Sequence, residues 1–235
     1  MEAGATEIGA ELDRIEAEVH GGRTDLRDLG FWRLVGRIKR DPELTHALAD
    51  QVGRIDTAAF RTGVRLRVPV WVGNLLLLGA VLVGASAVVV ARVAADAGER
   101  DLLVGAALVV AAGALAIGVH APTHWVVGRL VGIRFTDYFL GGPPPKRPGV
   151  KTDYATYLRT PPMQRAWMHA SGAIATKVAP FVVLALAPWG DAPVWSLLLL
   201  GAIGIGQIVT DVLFSVKTSD WKKYFRERAI ARGAS

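Results

Sequence analysis

The sequence predicts an all-α polytopic membrane protein with four transmembrane helices, a cytoplasmic N-terminal helical region and a short β-hairpin in the middle loop. Of the 235 residues, 51% are hydrophobic and only 20% are charged. The charged residues lie almost entirely outside four apolar stretches, which a soluble chain of this length could hardly bury. Each stretch is long enough to cross a hydrocarbon layer of ~30 Å as a helix rising about 1.5 Å per residue. The predicted spans are residues 68–91, 102–120, 170–187 and 193–216.

The distribution of Lys and Arg predicts the orientation of these spans. Eleven basic residues precede the first span, seven lie in the loop of residues 121–168, and six follow residue 216. The two remaining connections hold only Arg92 and Arg100. By the positive-inside rule, an integral protein of the cytoplasmic membrane is expected, with both termini and the middle loop in the cytoplasm.

The net charge of +6 therefore indicates lipid rather than nucleic acid as the partner. We expect contact with the bilayer, and we consider a membrane-protein partner or a second copy of the chain as further partners. The chain has no Cys, which excludes a disulfide framework, a Cys-ligated metal site and thiol catalysis.

Residues 1–66 read as a cytoplasmic region of amphipathic helices. Apolar residues recur at helical spacing from Ile8 to Val19, and Gly21-Gly22 then breaks the chain. A second helix is expected from Leu26 to Ile38. Asp41-Pro42 predicts the start of a third, with Asp as N-cap and Pro at the first helical position. The region is expected to pack on itself or on a neighbouring subunit, with a protein-docking module as the alternative.

Residues 67–235 are predicted to form the four-span membrane domain, which includes the cytoplasmic loop 121–168 and a basic tail, residues 217–235. In the loop, residues 121–133 continue the second span and residues 134–140 alternate like a strand. A Gly-Pro segment, residues 141–149, favours polyproline geometry. Residues 150–158 then form a returning strand, unless residues 134–158 are an irregular re-entrant loop.

Ionisable side chains at membrane depth are the candidate functional residues, because burying one in a span costs ~2.5–3.5 kcal/mol. His120 and His124 are four residues apart, so they project from one helix face and can share a metal ion. Asp211 is predicted at matching depth as the third ligand, with His169 as a further one. The alternative to metal binding is that the histidines form hydrogen bonds with carbonyl groups or lipid head groups. Lys177 is expected to pair with Asp211 or to reach the membrane surface.

The order of these features resembles the membrane core of the site-2 protease family of intramembrane zinc metalloproteases. A span ends in His-x-x-x-His, the helix runs on through GRLVGI (residues 128–133), a strand and a Gly-Pro return follow, and RAWMHASG (residues 165–172) opens the next span. The resemblance covers roughly residues 102–228. It implies Zn2+ bound by His120 and His124. It also implies a third ligand at Asp211 or, less favoured because it is expected in the cytoplasm, at Asp220.

One departure from the family bears directly on mechanism. The family has its general base, a Glu, directly after the first His, whereas this chain has Ala121 followed by Pro122. Alanine cannot accept a proton. Asp137 is the one substitute base we consider. Ser171-Gly172 stands where the family has Gly-Pro.

These observations predict a non-proteolytic relative, a pseudoenzyme with a metal site and a binding or regulatory role. A small proton or metal-ion transporter or channel subunit, using the same histidines with Lys177 and Asp211, is an alternative. An active intramembrane metalloprotease with an atypical base is another, and a purely structural assembly protein is the last.

Overall fold

The computed structural model describes residues 2–98, 101–141, 147–214 and 219–233, and it is mostly helical. In chain order the elements are α1 (Glu2–His20), α2 (Phe31–Ile38), α3 (Pro42–Gly63), β1 (Arg67–Pro69), α4 (Val70–Asp96), α5 (Asp101–Leu130), β2 (Phe135–Gly141), β3 (Arg147–Thr152), α6 (Tyr154–Arg159), α7 (Pro162–Leu186), α8 (Val194–Leu213) and α9 (Asp220–Ala231).

The chain divides into two compact units. The helix–sheet unit comprises Met1–Val70, Gly128–Arg165 and Arg226–Ser235, and the four-span unit comprises Trp71–Val127 and Ala166–Phe225. The N-terminal helices therefore share a unit with the segment that contains β2, β3 and α6.

Helices α1, α2 and α3 bury their apolar stripes against one another in the helix–sheet unit. The core includes Leu12, Phe31 and Ile55, none of which is measurably exposed. Helix α3 begins as expected, with the carboxylate of Asp41 accepting hydrogen bonds from the backbone N–H groups of Glu43 and Leu44 at 2.9 and 3.1 Å.

Helix α2 is shorter than its apolar pattern predicts. It begins at Phe31 rather than Leu26, because Gly30 has φ +77°, a left-handed conformation that interrupts helix geometry. The carboxylate of Asp25 accepts hydrogen bonds from the backbone N–H groups of Arg27 and Asp28, which stabilises the turn before the helix.

The predicted β-hairpin is confirmed as the antiparallel pair β2–β3, within a three-stranded sheet of order β1-β2-β3. Its returning strand, however, stops at Thr152. The prediction of a strand as far as residue 158 is wrong, because the carboxylate of Asp153 accepts a hydrogen bond from the Thr156 N–H and starts α6. Of the expected polyproline segment, residues 142–146 lie outside the described residues, and residues 147–149 belong to β3.

Strand β1 was not expected from the sequence. Arg67–Pro69 pairs with β2, so α4 begins at Val70, slightly later than the predicted span. An exposed three-residue strand carries too little periodicity to be recognised alone, and it forms here because β2 offers a partner edge.

The interior of the helix–sheet unit contains a cluster of charged groups around Glu227. Its carboxylate accepts hydrogen bonds from Arg165 at 2.7 Å, Lys39 at 2.5 Å and the Tyr157 hydroxyl at 2.9 Å. Burial raises the pKa of Glu227, but the positive charges of Lys39 and Arg165 oppose this effect and hold that pKa below its usual value.

The four-span unit confirms the prediction of four long apolar helices. Helices α4, α5 and α7, and α8 over Val194–Asp211, are long and apolar enough to cross a membrane. They pack through small buried side chains, among them Ala91, Ala111 and Ala187, and large apolar side chains such as Leu76 and Leu198 are exposed on their outer faces. Helix α8 ends at Leu213, earlier than predicted, and residues 215–216 lie outside the described part of the chain.

Candidate metal centre

His120 and His124 project from the same face of α5, as their spacing predicts. Their ring centroids are 4.9 Å apart. His124 is 6% exposed and His120 is half-buried, so one ring is enclosed by protein and the other borders an accessible side.

The hydrogen bonds of both rings determine which nitrogen faces the site. Nδ1 of His124 lies 2.6 Å from the Met168 carbonyl oxygen. Nδ1 of His120 lies 3.1 Å from the Gly172 carbonyl oxygen and 2.8 Å from the Thr176 hydroxyl. Because a carbonyl oxygen only accepts, Nδ1 must carry the proton in both rings. Each Nε2 is then available as a metal ligand, held in place by α7.

Asp220, the first residue of α9, provides the third ligand atom. Its Oδ2 lies 3.2 Å from Nε2 of His124 and 3.4 Å from Nε2 of His120. All three ligand atoms lie within 4.8 Å of one another. The Ser219 hydroxyl accepts a hydrogen bond from the Lys222 N–H at 3.3 Å, which supports the start of the helix at this point.

The two separations between the histidine nitrogens and the carboxylate oxygen fit a tetrahedral metal ion. With metal–ligand bonds of about 2.0–2.1 Å, two ligands of a tetrahedral zinc ion are separated by about 3.3 Å. The two measured separations of 3.2 and 3.4 Å lie on either side of that value. Two imidazole lone pairs and a carboxylate oxygen are all acceptors when Nδ1 carries the proton, so all three can bind one cation.

The close approach of α7 to the histidines requires a glycine at residue 172. A Cβ atom at this position would lie 2.6 Å from Cδ2 of His124 and 2.7 Å from the carbonyl oxygen of His120, both shorter than real Cβ contacts. Gly172 therefore allows α7 to deliver its carbonyl groups to both rings. Ser171 beside it donates a hydrogen bond to the Met168 carbonyl oxygen, which also accepts from His124.

The electrostatics of the site keep Asp220 ionised. Burial by itself raises the pKa of its carboxyl group, but the positive charge of Lys223 opposes burial, and that pKa lies well below its usual range. Nζ of Lys223 lies 3.1 Å from Oδ1 of Asp220, which leaves Oδ2 directed at the histidines.

Asp211 is not the acid that the structure brings to the histidines. It forms an ion pair with Lys177, which also donates to the Ala173 carbonyl oxygen at 3.3 Å. The Lys177–Asp211 pairing was one of the two outcomes expected for Lys177. The preference for Asp211 over Asp220 as a ligand rested on depth, which says nothing about the direction in which a side chain leaves its helix.

The other sequence candidates lie outside this group of ligand atoms. His169 is on α7, next to Met168, and is not among the three residues whose ligand atoms converge. Asp137 lies on β2 opposite Lys151, within the helix–sheet unit. The position of the family's general base is occupied by half-buried Ala121.

Two residues of the site were missed at the sequence level. Lys223 could have been found from its i,i+3 spacing to Asp220 on a helical tail, but the sequence analysis describes residues 217–235 only as a basic tail. Thr176 carries no sequence signal, because its role depends on the packing of α7 against α5. No protein-family model, curated protein or solved structure matches this chain.

Proposed function

We propose that this chain is an integral membrane protein that binds a zinc ion through His120, His124 and Asp220. We further propose that it is a non-proteolytic relative of the site-2 protease family, acting by binding or regulation. The observation that carries the proposal is the convergence of two Nε2 atoms and one carboxylate oxygen within 4.8 Å of one another, with both nitrogen–oxygen separations near that of a tetrahedral site.

Zinc is one of the metals that this set of ligands suits, and it is the ion that we propose. Imidazole nitrogen suits zinc, copper, iron and nickel, whereas magnesium and calcium prefer oxygen ligands alone. Two His and one carboxylate match zinc sites that keep a fourth position open for an exogenous ligand. Such an ion acts as a Lewis acid towards the group that binds there.

The absence of a general base beside the first histidine supports a role without proteolysis. Hydrolysis at such a centre needs a group that takes a proton from water, and Ala121 cannot do so. The chain order of α5, the β2–β3 pair and α7 supports the proposed resemblance, which concerns architecture and metal ligands.

A membrane location is supported by the four long apolar helices and by the large apolar side chains exposed along them, including Leu76, Leu82 and Leu198. The Lys and Arg distribution supports cytoplasmic termini and a cytoplasmic middle loop. With that orientation, the metal centre lies near the cytoplasmic surface of the membrane.

Metal analysis of the full-length protein, purified in detergent, tests the zinc site. We expect about one zinc ion per chain, and its loss in His120→Ala and in Asp220→Asn. Asp211→Asn and His46→Ala are the matched controls, because Asp211 pairs with Lys177 and His46 is exposed. The proposal is contradicted if the native protein contains no stoichiometric metal. It is also contradicted if a control variant loses the zinc while Asp220→Asn keeps it.

Incubation of the zinc-loaded protein with transmembrane peptides tests the non-proteolytic assignment. We expect no cleavage beyond that seen with His120→Ala. Cleavage that a chelator abolishes and that Asp220→Asn lacks would establish an active protease with another base.

A transporter or channel subunit is the second candidate, and the ion pair of Lys177 with Asp211 on two apolar helices favours it. Ionisable groups at such positions often mark ion or proton paths. Proteoliposome flux of protons or zinc that disappears in Asp211→Asn supports this candidate, and absence of flux excludes it.

A further inference from the structure

Lys223 lies beside the metal centre without being one of its ligands. It follows Asp220 by three residues on α9, and its Nζ contacts the carboxylate oxygen that faces away from the histidines. Its side chain is 36% exposed, whereas that of Asp220 is 16% exposed. The ammonium group therefore stands at the accessible edge of the site.

With a divalent metal ion bound, the centre carries an excess of positive charge. Two neutral imidazoles and one carboxylate contribute a single negative charge, against the two positive charges of a divalent ion and the one of Lys223. A positive excess in a partly buried site attracts an anion, since the interaction is stronger there than in bulk water.

The centre is open on one side to such an anion. The His120 side chain is 41% exposed, whereas His124 is enclosed, so a ligand can approach past His120 and reach the open coordination position. An ammonium group has three N–H donors, and one of those of Lys223 is directed to Asp220. Within the part of the chain that the structure describes, Lys223 donates to Asp220 alone, so a second N–H can bind an oxygen of the incoming ligand.

We infer that the fourth position of the metal centre takes an oxyanion, a carboxylate or a phosphate, and that Lys223 selects it. This inference rests on the proposed metal site. One oxygen of the anion binds the ion and another accepts a charge-assisted hydrogen bond from Lys223. A neutral ligand such as a peptide carbonyl has one oxygen and no charge, so it gains little from the ammonium group.

Titration of the cobalt-loaded full-length protein in uncharged detergent tests this inference. Acetate and inorganic phosphate are the two probes, and the visible absorption of bound Co2+ reports a change of its fourth ligand. We expect saturable binding of one or both anions. In Lys223→Gln we expect their dissociation constant to rise about tenfold or more, as for the loss of a charged hydrogen bond.

The adjacent exposed Lys222 offers a matched control. We expect Lys222→Gln to bind the anion like the native protein, Lys223→Arg to retain most of the affinity, and all three variants to bind Co2+ with native affinity. The acetate and phosphate arms distinguish a carboxylate ligand from a phosphate ligand.

The possible failures are distinguishable. If the native protein binds no Co2+, the metal centre itself is refuted. If Co2+ binds but neither anion changes its spectrum, or if Lys222→Gln weakens the anion as much as Lys223→Gln does, only the present inference is overturned. A loss of Co2+ affinity in Lys223→Gln also overturns it, because Lys223 would then serve to position Asp220.

Discussion

Nε2 of His124 lies 3.2 Å from Oδ2 of Asp220, although the two residues are 96 positions apart in the chain. Nδ1 of His124 contacts the Met168 carbonyl oxygen, and the other carboxylate oxygen of Asp220 contacts Nζ of Lys223. The site is therefore organised by contacts around its ligands as well as by the ligands themselves.

Gly172→Ala is expected to disrupt the metal centre without changing a ligand. The added Cβ would overlap His124 and the His120 carbonyl group, and such overpacking typically costs about 1–3 kcal/mol. We expect zinc affinity to fall at least tenfold and the thermal midpoint in detergent to drop. Gly113→Ala on α5 is the control, because its Cβ would meet no atom within 4 Å. Equal zinc binding by both variants would refute the role assigned to Gly172.

The ion pair of Lys177 and Asp211 is expected to stabilise the four-span unit without contributing to the metal. Lys177→Ala leaves the half-buried Asp211 without its counter-charge, which we expect to cost about 1–3 kcal/mol. The double variant Lys177→Leu/Asp211→Leu should recover much of that stability, since no unpaired charge remains. Thermal unfolding in detergent, followed together with zinc content, measures both effects. A double variant less stable than either single one would contradict this explanation.

Glu227→Gln is expected to destabilise the helix–sheet unit at neutral pH and to reduce its sensitivity to acid. Burial raises the pKa of Glu227, but Lys39 and Arg165 together hold it below the ordinary value of 4.5. The stabilisation is thus present above pH 4.5 and is lost as the pH falls through the lower pKa of the folded chain. Removing the carboxylate leaves both cations buried, at a cost of about 3–5 kcal/mol.

Thermal midpoints measured from pH 7 down to about pH 3 test this prediction. The native protein should lose stability steeply below pH 4.5, and Glu227→Gln should start lower and change less. Glu43→Gln, at an exposed position, should follow the native curve. Parallel curves for native protein and Glu227→Gln would show that Glu227 does not carry the acid sensitivity.

The proposed orientation predicts which introduced cysteines react from outside a sealed cell. The native chain has no Cys, so single cysteines give an unambiguous signal. A membrane-impermeant maleimide should label Asp191→Cys in intact cells and His46→Cys only after lysis, and both positions are exposed. The opposite pattern would invert the topology derived from the basic residues.

The elements that depend on local pattern were predictable from the chain alone. Four long apolar stretches became α4, α5, α7 and α8, and the alternation after residue 134 became β2 of a hairpin. The spacing of His120 and His124 was sufficient to put both rings on one face of α5, because helical periodicity is a local property.

Which acid lies beside the rings of His120 and His124 depends on how the helices pack in three dimensions. Asp211 has the same predicted depth in the membrane as the two histidines. Depth does not specify the direction in which a side chain leaves its helix, because that direction depends on how the neighbouring helices pack. That packing turns Asp211 towards Lys177, while α9 starts where Asp220 can reach both histidines. Lys223 enters the site for the same reason. Contacts between residues 96 positions apart arise from the packing of helices, and no spacing along the chain encodes them.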